Sequence, residues 1–199
     1  MNGKQAYFDG MADRWDEMVD VDSLRAQLNN MLDDLRIRPD EHILDLGCGT
    51  GNLTALLVGR LSYPGSVVAV DFAPGMVRRA RAKIGDSPVS WLVADAHSLP
   101  LATESLDRVI CFSAWPHFDE PGRVAKGIAR ILKRGGSLEI FHAGSREEIN
   151  GIHVHAGGAI ERDLLPPASD LGAMLRRKGF REVGVVENGD MYHVRMQKG

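Results

Sequence analysis

Two hydrophobic patterns alternate along most of the chain. Short continuous apolar runs are typical of strands buried on both faces of a parallel sheet, and apolar residues that recur every three or four positions are typical of one helix face. The strand pattern occurs at residues 43–46, 66–71, 89–93, 106–112 and 137–141, and the helical pattern from residue 53 and at 74–84, 121–133 and 169–178. This alternation predicts an α/β domain with three layers and a mostly parallel sheet.

The first forty residues carry helical stripes without a strand. Tyr7, Phe8, Met11 and Trp15 form the first stripe, and a second runs from residue 24 to residue 35. The pattern predicts two helices that cover one side of the core. Asp22 or Ser23 is expected to cap the second helix, because both residue types accept the free N–H groups of a helix start.

The last twenty residues return to a strand pattern. Residues 180–187 and 191–196 alternate between polar and apolar positions on either side of Asn188-Gly189, a pair typical of tight hairpin turns. The sequence therefore predicts a C-terminal antiparallel hairpin and a sheet of seven strands.

Composition limits the classes of function. A length of 199 residues with 44% hydrophobic and 26% charged residues suits one globular domain. The net charge of −3 gives no general electrostatic reason to bind nucleic acid or an anionic membrane. Two cysteines make no disulfide framework, and the chain has no signal-peptide core and no run of eighteen apolar residues, so we expect a cytoplasmic protein.

A glycine-rich turn follows the first predicted strand. Gly47, Gly49 and Gly51 stand between that strand and a helical pattern, an arrangement typical of a nucleotide-binding corner. The dinucleotide fingerprint requires a glycine where this chain has Asn52. Asp45, two residues before the first glycine, would repel a pyrophosphate but would favour a cationic ligand. A nicotinamide-dependent oxidoreductase is therefore disfavoured.

The spacing Asp-x-Gly-x-Gly-x-Gly closely resembles the first motif of the class I methyltransferases that use S-adenosylmethionine. Three later features support the resemblance: Asp71 at the end of the second strand, Asp95-Ala96 after the third strand, and a Gly-Gly turn before the fifth strand in which Arg134 replaces the usual proline. The resemblance implies a Rossmann-like methyltransferase fold over residues 1–199, with a helical cap at 1–40, a cofactor-binding core at 41–142 and a substrate-side segment with the hairpin at 143–199.

The resemblance also implies a set of cofactor residues. Asp71 would bind the ribose hydroxyls, and Asp95 and the N–H of Ala96 would bind the adenine. The residues expected to bind S-adenosylmethionine are Asp45, Gly47, Cys48, Gly49, Gly51, Asp71, Phe72, Met76, Asp95, Ala96 and Phe112. Asp71 could instead cap the next helix, and Asp95 could be an ordinary turn residue.

The methyl acceptor is the least determined part of the prediction. His117, in the loop after the fourth strand, is the best-placed candidate for the base that an amine or hydroxyl acceptor would need, whereas a thiolate would need none. No Asn-Pro-Pro-Tyr-like motif follows the fourth strand, where Phe112-Ser113-Ala114-Trp115 stands instead, so the resemblance does not extend to the family members that methylate the exocyclic amines of nucleic-acid bases. We expect a small-molecule acceptor and a monomer or homodimer, and a non-catalytic cofactor-binding domain is the alternative.

Aromatic and histidine residues outside the cofactor motifs are candidates for the substrate pocket. They are Tyr7, Trp15, Trp115, His117, His142, His153 and His155. The opening segment at 7–16 resembles the family's entry segment, which implies that it folds over the cofactor and helps to shape the substrate pocket; core packing alone is the alternative. His142, His153 and His155 could together hold a zinc-like ion, but His153 and His155 face one side only if their segment is extended, and a helix there would separate them. No resident metal is predicted.

Overall fold

Seven strands form one sheet in the order β3-β2-β1-β4-β5-β7-β6 in the computed structural model, which describes residues 3–85 and 87–199. The strands are β1 His42–Leu46, β2 Ser66–Asp71, β3 Val89–Val93, β4 Leu106–Phe112, β5 Leu132–His142, β6 Phe180–Glu187 and β7 Tyr192–Lys198. The first five are parallel, and β7 runs antiparallel to both β5 and β6. The predicted fold class, a mostly parallel sheet with a C-terminal hairpin, is confirmed.

Helices cover both faces of the sheet. They are α1 Gly3–Met11, α2 Val21–Asp34, α3 Asn52–Val58, α4 Pro74–Ile84, α5 Pro121–Ile131, α6 Arg146–Ala156 and α7 Ala168–Arg176. Short 3₁₀ turns lie at Trp15–Met18, Ala96–Ser98, Trp115–His117 and Gly158–Ile160. No helix among the residues that the structure describes is long and apolar enough to cross a membrane.

Alternation along the central strands separates two cores. Ile43 and Ile110 belong to a cluster with the apolar residues of α2 and α3. Their neighbours Leu44 and Val109 belong to a larger cluster with α5 and α7. Because successive side chains of a strand point to opposite faces, the continuous apolar runs of the sequence supply both layers at once.

Several predicted boundaries differ from the structure. Asp20 caps α2, because its carboxylate accepts the N–H of Ser23 at 3.1 Å and the helix begins at Val21, so the expected caps Asp22 and Ser23 were wrong by two or three residues. Helix α5 ends two residues early, because Leu132 already pairs with Leu106 in the sheet. For the same reason the fifth strand begins before the predicted residue 137.

The chain between β5 and α7 contains a helix that the sequence prediction left undecided. Ser145 and Glu148 form a capping box at the start of α6, with the Ser145 hydroxyl accepting the N–H of Glu148. The helical alternative therefore holds for His153 and His155. We call residues 143–165, which comprise α6 and the following turn, the α6 segment.

The hairpin turn is confirmed at its predicted position. Asn188 N–H donates to the carbonyl of Met191 at 3.0 Å, and the Asn188 side chain accepts the N–H groups of Asp190 and Met191 at 2.9 Å each. Strand β7 continues to Lys198, beyond the predicted end at residue 196, because Gln197 pairs with both Ser137 and Arg181.

Candidate active site

One cavity of about 300 Å³ lies at the carboxyl ends of the central parallel strands. Ligands of doubly wound folds bind at this edge, because loops at the strand ends leave a crevice there. Nine residues predicted for the site line the cavity: Trp15, Gly47, Gly49, Asp71, Phe72, Met76, Asp95, Ala96 and His117. Its walls also include Lys4, His97 and Phe118, which the sequence did not single out, and Phe8, which belongs to the opening segment at 7–16.

The glycine turn, residues 47–51, requires its glycines for different reasons. Gly47 has φ +79°, and a Cβ there would lie 2.4 Å from the Cβ of Ala114. Gly49 has φ +52°, but a Cβ there would meet no atom within 4 Å. Gly47 is therefore needed for packing between two loops, whereas Gly49 leaves open space at the cavity wall.

Asp71 closes the turn from the side of β2. Its two carboxylate oxygens accept the N–H groups of Gly49 and Ala73, each at 2.9 Å. Helix α4 has Ala73 as its N-cap, so Asp71 precedes the cap by two residues and remains in the cavity wall. Burial raises the pKa of Asp71, and the hydrogen bonds from the main chain oppose this effect. Each oxygen keeps a lone pair for a further donor.

Asp45 lies beneath the turn instead of in the cavity wall. The side chain is 1% exposed and accepts the Thr54 hydroxyl at 2.6 Å, which ties β1 to α3. Burial, reinforced by the nearby charge of Asp71, raises the pKa of Asp45 to about 7. Asp45 does not line the cavity, because the first turn of α3 covers the carboxylate, so its direct contact with the ligand stays a prediction.

Three other predicted cofactor residues also lie outside the wall. Cys48 is buried within the turn, and burial raises the pKa of its thiol well above the ordinary value. Gly51 packs on Ala80 of α4. Phe112 stacks on Phe141, with ring centroids 4.8 Å apart, in the core under α2.

Asp95 and Ala96 line the cavity beyond β3. Asp95 accepts two hydrogen bonds from His97, from its main-chain N at 2.9 Å and from its Nδ1 at 2.6 Å. Because Nε2 of His97 accepts the N–H of Glu120 at 3.2 Å, the ring hydrogen is on Nδ1. Burial alone would raise the pKa of Asp95, but the hydrogen bonds from His97 outweigh it and lower the pKa. Asp95 is thus both a turn cap and a wall residue.

Helix α1 and the following 3₁₀ turn close the cavity from outside the sheet. Phe8 packs its ring edge-on against Phe72 at 5.7 Å and tilted against Trp15 at 5.8 Å. Gln5 donates to the carbonyl of Phe72 at 2.7 Å, which ties α1 to the end of β2. Tyr7, a predicted pocket residue, packs edge-on against Phe8 with ring centroids 5.3 Å apart and does not line the cavity.

The candidate histidines occupy four different environments. His117 lines the cavity, and His153 of α6 packs against its ring with centroids 4.9 Å apart. His142 is 1% exposed, and both of its ring nitrogens lack a hydrogen-bond partner. Burial lowers the pKa of His142 to about 3. His155 is exposed and bonds only to the carbonyl of Gly151 within its own helix.

Trp115, the remaining predicted pocket residue, is 2% exposed and packs into the core beside Phe118, because its 3₁₀ turn directs the indole under the loop. Within residues 3–85 and 87–199, no three His, Cys, Asp or Glu side chains are arranged to hold a metal ion. The helical α6 segment explains why the three late histidines do not converge, since it exposes His155 and buries His153.

A charged cluster at the cavity links distant parts of the chain. Asp163, at the end of the α6 segment, lies 2.8 Å from Nδ1 of His117. Its other oxygen is 2.7 Å from Nζ of Lys4, which also contacts Asp119 at 2.6 Å. No pattern in the sequence indicated Lys4 or Asp163, because neither belongs to a motif and the contact between them spans more than a hundred residues. His97 had a weaker signal, its place two residues after a candidate acid.

The cavity suits the cofactor that the sequence resemblance implies. Met76, Phe72 and Ala96 offer apolar contacts for a flat base, and the glycine turn leaves one side free of side chains. The carboxylates of Asp71 and Asp95 offer acceptors for hydroxyl and amino groups and favour a cationic ligand. The residues present therefore fit S-adenosylmethionine.

Comparisons with known proteins agree with this assignment. A family described as methyltransferase domain matches residues 44–140. A malonyl-acyl-carrier-protein O-methyltransferase of Anoxybacillus flavithermus is 35% identical over 111 residues, covering 55% of this chain and 42% of that protein. A demethylmenaquinone methyltransferase of Symbiobacterium thermophilum is 32% identical over 143 residues, covering 68% of this chain and 57% of that protein. The chain thus spans about half the length of these relatives.

Solved structures share the fold. An S-adenosylmethionine-dependent methyltransferase of Aquifex aeolicus has a TM-score of 0.73 at 22% identity and covers 86% of this chain and 89% of its own. A possible histamine N-methyltransferase of Thermotoga maritima has a TM-score of 0.75 at 20% identity and covers 96% and 98%. With the motifs and the sheet order, the family match shows a class I methyltransferase domain at residues 44–140, whose cofactor is S-adenosylmethionine.

Proposed function

We propose that this protein transfers the methyl group of S-adenosylmethionine to a small-molecule acceptor, and that His117 accepts the proton of the attacking group. One observation carries the proposal: the His117 ring lines the same cavity as Gly49, Asp71 and Asp95. A base on the wall of the cofactor cavity can reach an acceptor atom that is aligned for in-line displacement.

In this proposal the chain binds and orients, and the cofactor supplies an electrophilic methyl group on a positively charged sulfur. Asp71 accepts hydrogen bonds from the ribose hydroxyls, and Asp95 accepts one from the adenine amino group. The open space beside Gly49 admits the ligand close to the main chain. Helix α1, through Phe8, excludes water from the reacting atoms.

The surroundings of His117 favour a particular kind of acceptor. Phe8 contacts the His117 ring edge-on at 4.8 Å, and Phe118 lies on the same cavity wall. One cavity of about 300 Å³ must hold the cofactor and the reacting end of the acceptor, which favours a small molecule. A hydroxyl or amine on an apolar body fits a site with a base between aromatic rings, whereas a thiolate would not need the base.

The names of the relatives do not select the acceptor atom. They include an O-methyltransferase that acts on malonyl-acyl-carrier protein and a C-methyltransferase of ubiquinone and menaquinone biosynthesis. Our preference for a hydroxyl or amine acceptor therefore rests on His117 alone.

The test begins with cofactor binding and ends with transfer. S-adenosylhomocysteine should raise the melting temperature, and NAD should not, because a ligand that binds only the folded state stabilises it. Labelled S-adenosylmethionine is then offered with pools of small hydroxyl and amine compounds. Transfer should fall by roughly 10²- to 10⁴-fold in His117→Ala, the usual contribution of a general base.

His155→Ala is the matched control, since His155 is exposed and contacts only its own helix. It should transfer like the wild type. Equal transfer by His117→Ala would contradict the base assignment. Cofactor binding without transfer to any pool would instead favour a non-catalytic cofactor-binding domain.

A further inference from the structure

Asp163 contacts a ring nitrogen of His117 and the ammonium of Lys4. One carboxylate oxygen contacts Nδ1 of His117 at 2.8 Å, and the other contacts Nζ of Lys4 at 2.7 Å. The Asp163 side chain is 7% exposed, so water does not compete strongly for these contacts. A carboxylate only accepts hydrogen bonds when ionised, so the hydrogen of the neutral His117 ring is on Nδ1 and the lone pair is on Nε2.

We propose that Asp163 is a positioning residue that holds His117 in the Nδ1–H tautomer and thereby keeps Nε2 free to accept the acceptor's proton. This inference rests on the proposed function. The acceptor atom keeps the electron pair of its bond to hydrogen and forms the bond to the methyl carbon, and sulfur keeps the pair of the bond that breaks. The proton goes to Nε2, and the imidazolium that results faces the Asp163 carboxylate.

Neighbouring contacts hold the His117 ring in place. Phe8 packs against it at 4.8 Å and His153 at 4.9 Å between ring centroids. Nδ1 of His153 contacts the main-chain carbonyl of Asp163, which also only accepts. Asp163 therefore fixes the tautomers of two adjacent rings, one through its side chain and one through its main chain.

Lys4 makes the two oxygens of Asp163 unequal. Burial alone would raise the pKa of Asp163, but hydrogen bonds from His117 and Lys4 outweigh it and lower the pKa, so the carboxylate stays ionised. In Asp163→Asn only one oxygen remains. The Lys4 ammonium can only donate, so it takes that oxygen, and the amide NH₂ faces His117. Nδ1 must then accept, and the ring hydrogen moves to Nε2.

The test is to read the tautomer of His117 by long-range ¹H–¹⁵N NMR on labelled protein without ligands. We expect Nδ1–H in the wild type and Nε2–H in Asp163→Asn. His153 should stay Nδ1–H in both proteins, because its partner is a main-chain carbonyl. Asp119→Asn is the matched control, since Asp119 contacts Lys4 without contacting a His117 nitrogen. It should leave the tautomer of His117 as in the wild type.

An unchanged His117 tautomer in Asp163→Asn, or an Nε2–H ring in the wild type, would overturn the proposal. If Asp163→Asn does not fold, Asp163→Ser serves instead: it removes the carboxylate and should return the ring to the Nε2–H form that imidazole side chains prefer in water.

Turnover provides the second measurement. With an acceptor in hand, Asp163→Asn should lower kcat about 100-fold, in the range for loss of a general base, and change the Kd of S-adenosylhomocysteine less than about twofold. An inverted tautomer with unchanged kcat would overturn the role of Asp163 in transfer. If the wild type transfers to no acceptor, the proposed function fails, while the NMR result still decides whether Asp163 fixes His117.

Discussion

Asp71 has both a structural role and a proposed binding role, and the two can be separated by substitution. Asp71→Asn can accept only one of the two N–H groups that the carboxylate now accepts. We expect it to weaken S-adenosylhomocysteine by about 1–3 kcal/mol and to lower the unfolding free energy without ligand by about 1–3 kcal/mol. Calorimetric binding and chemical denaturation measure the two quantities.

Asp95→Asn is the comparison for Asp71→Asn, because the Asp95 side chain is 68% exposed. Asp95→Asn should bind S-adenosylhomocysteine more weakly than the wild type, with little change in unfolding free energy. A loss of stability without a loss of affinity in Asp71→Asn would assign Asp71 to the fold alone.

His142 should make the protein sensitive to acid. Its folded pKa is about 3, so the buried ring stays neutral, whereas the unfolded chain takes up a proton near pH 6.5. The unfolding free energy therefore falls as the pH falls from 6.5 towards 3, and the loss at pH 5 is about 2 kcal/mol. His142→Phe should lose this pH dependence, which denaturation at pH 5 and pH 7.5 would measure.

The difference between the two pH values cancels any packing cost of the larger phenylalanine ring. His155→Phe, at a surface position, is the control, and its unfolding free energy should change with pH as in the wild type. If the unfolding free energy of His142→Phe fell between pH 7.5 and pH 5 as much as in the wild type, the acid sensitivity would not come from His142.

At the scale of elements, the glycine turn should respond differently at two of its positions. Gly47→Ala places a Cβ 2.4 Å from the Cβ of Ala114 and should destabilise the fold by several kcal/mol or prevent folding. Gly49→Ala meets no atom and should cost only about 1–2 kcal/mol for its left-handed φ. Because Gly49 lines the cavity, the second variant should fold and bind the cofactor product weakly. Normal binding by folded Gly49→Ala would show that the ligand does not approach this position.

The strength of local signals explains which elements the sequence predicted well. The bounds of β2, β3, β4 and α4 match the structure residue for residue, because the sequence marks one end of each: β2 ends at an acid, β4 ends at an aromatic residue, α4 begins at a proline and β3 directly follows one. Helix α6 had an equally good signal, Ser145 followed three residues later by Glu148, but the histidine spacing left an extended segment open.

The residues of the candidate site also differ in whether a local signal in the sequence predicted them. The wall residues between Gly47 and Ala96 were predicted, because they belong to sequence motifs within short stretches of the chain. Lys4 reaches the cavity wall, and Asp163 reaches Lys4 and His117, only through tertiary packing, which a periodic pattern does not encode. Asp45 shows the opposite case. It occupies a matching motif position, but its buried carboxylate lies beneath the glycine turn and does not line the cavity.

At the scale of the whole molecule, Lys4 connects three segments that are distant in sequence. Its ammonium joins α1 to Asp119 after β4 and to Asp163 of the α6 segment. Lys4→Met should loosen α1 over the cavity, so we expect S-adenosylhomocysteine to dissociate several-fold faster while the sheet keeps its stability. Stopped-flow displacement measures the dissociation rate.

Lys126→Met changes an exposed lysine on α5 and is the control, with the wild-type rate expected. An unchanged dissociation rate in Lys4→Met would mean that the aromatic contacts of Phe8 alone hold α1 in place.

The close approach of Gly47 to Ala114 has a consequence for how such a chain can diverge. A side chain can appear at position 47 only in a background where position 114 has already lost its own, and even then the left-handed φ penalises it. The two substitutions are therefore ordered in time: Ala114→Gly opens the route, and the opposite order passes through a variant that is strongly destabilised or does not fold. The residues that position 47 can accept therefore depend on the residue at position 114, more than sixty residues away in another loop.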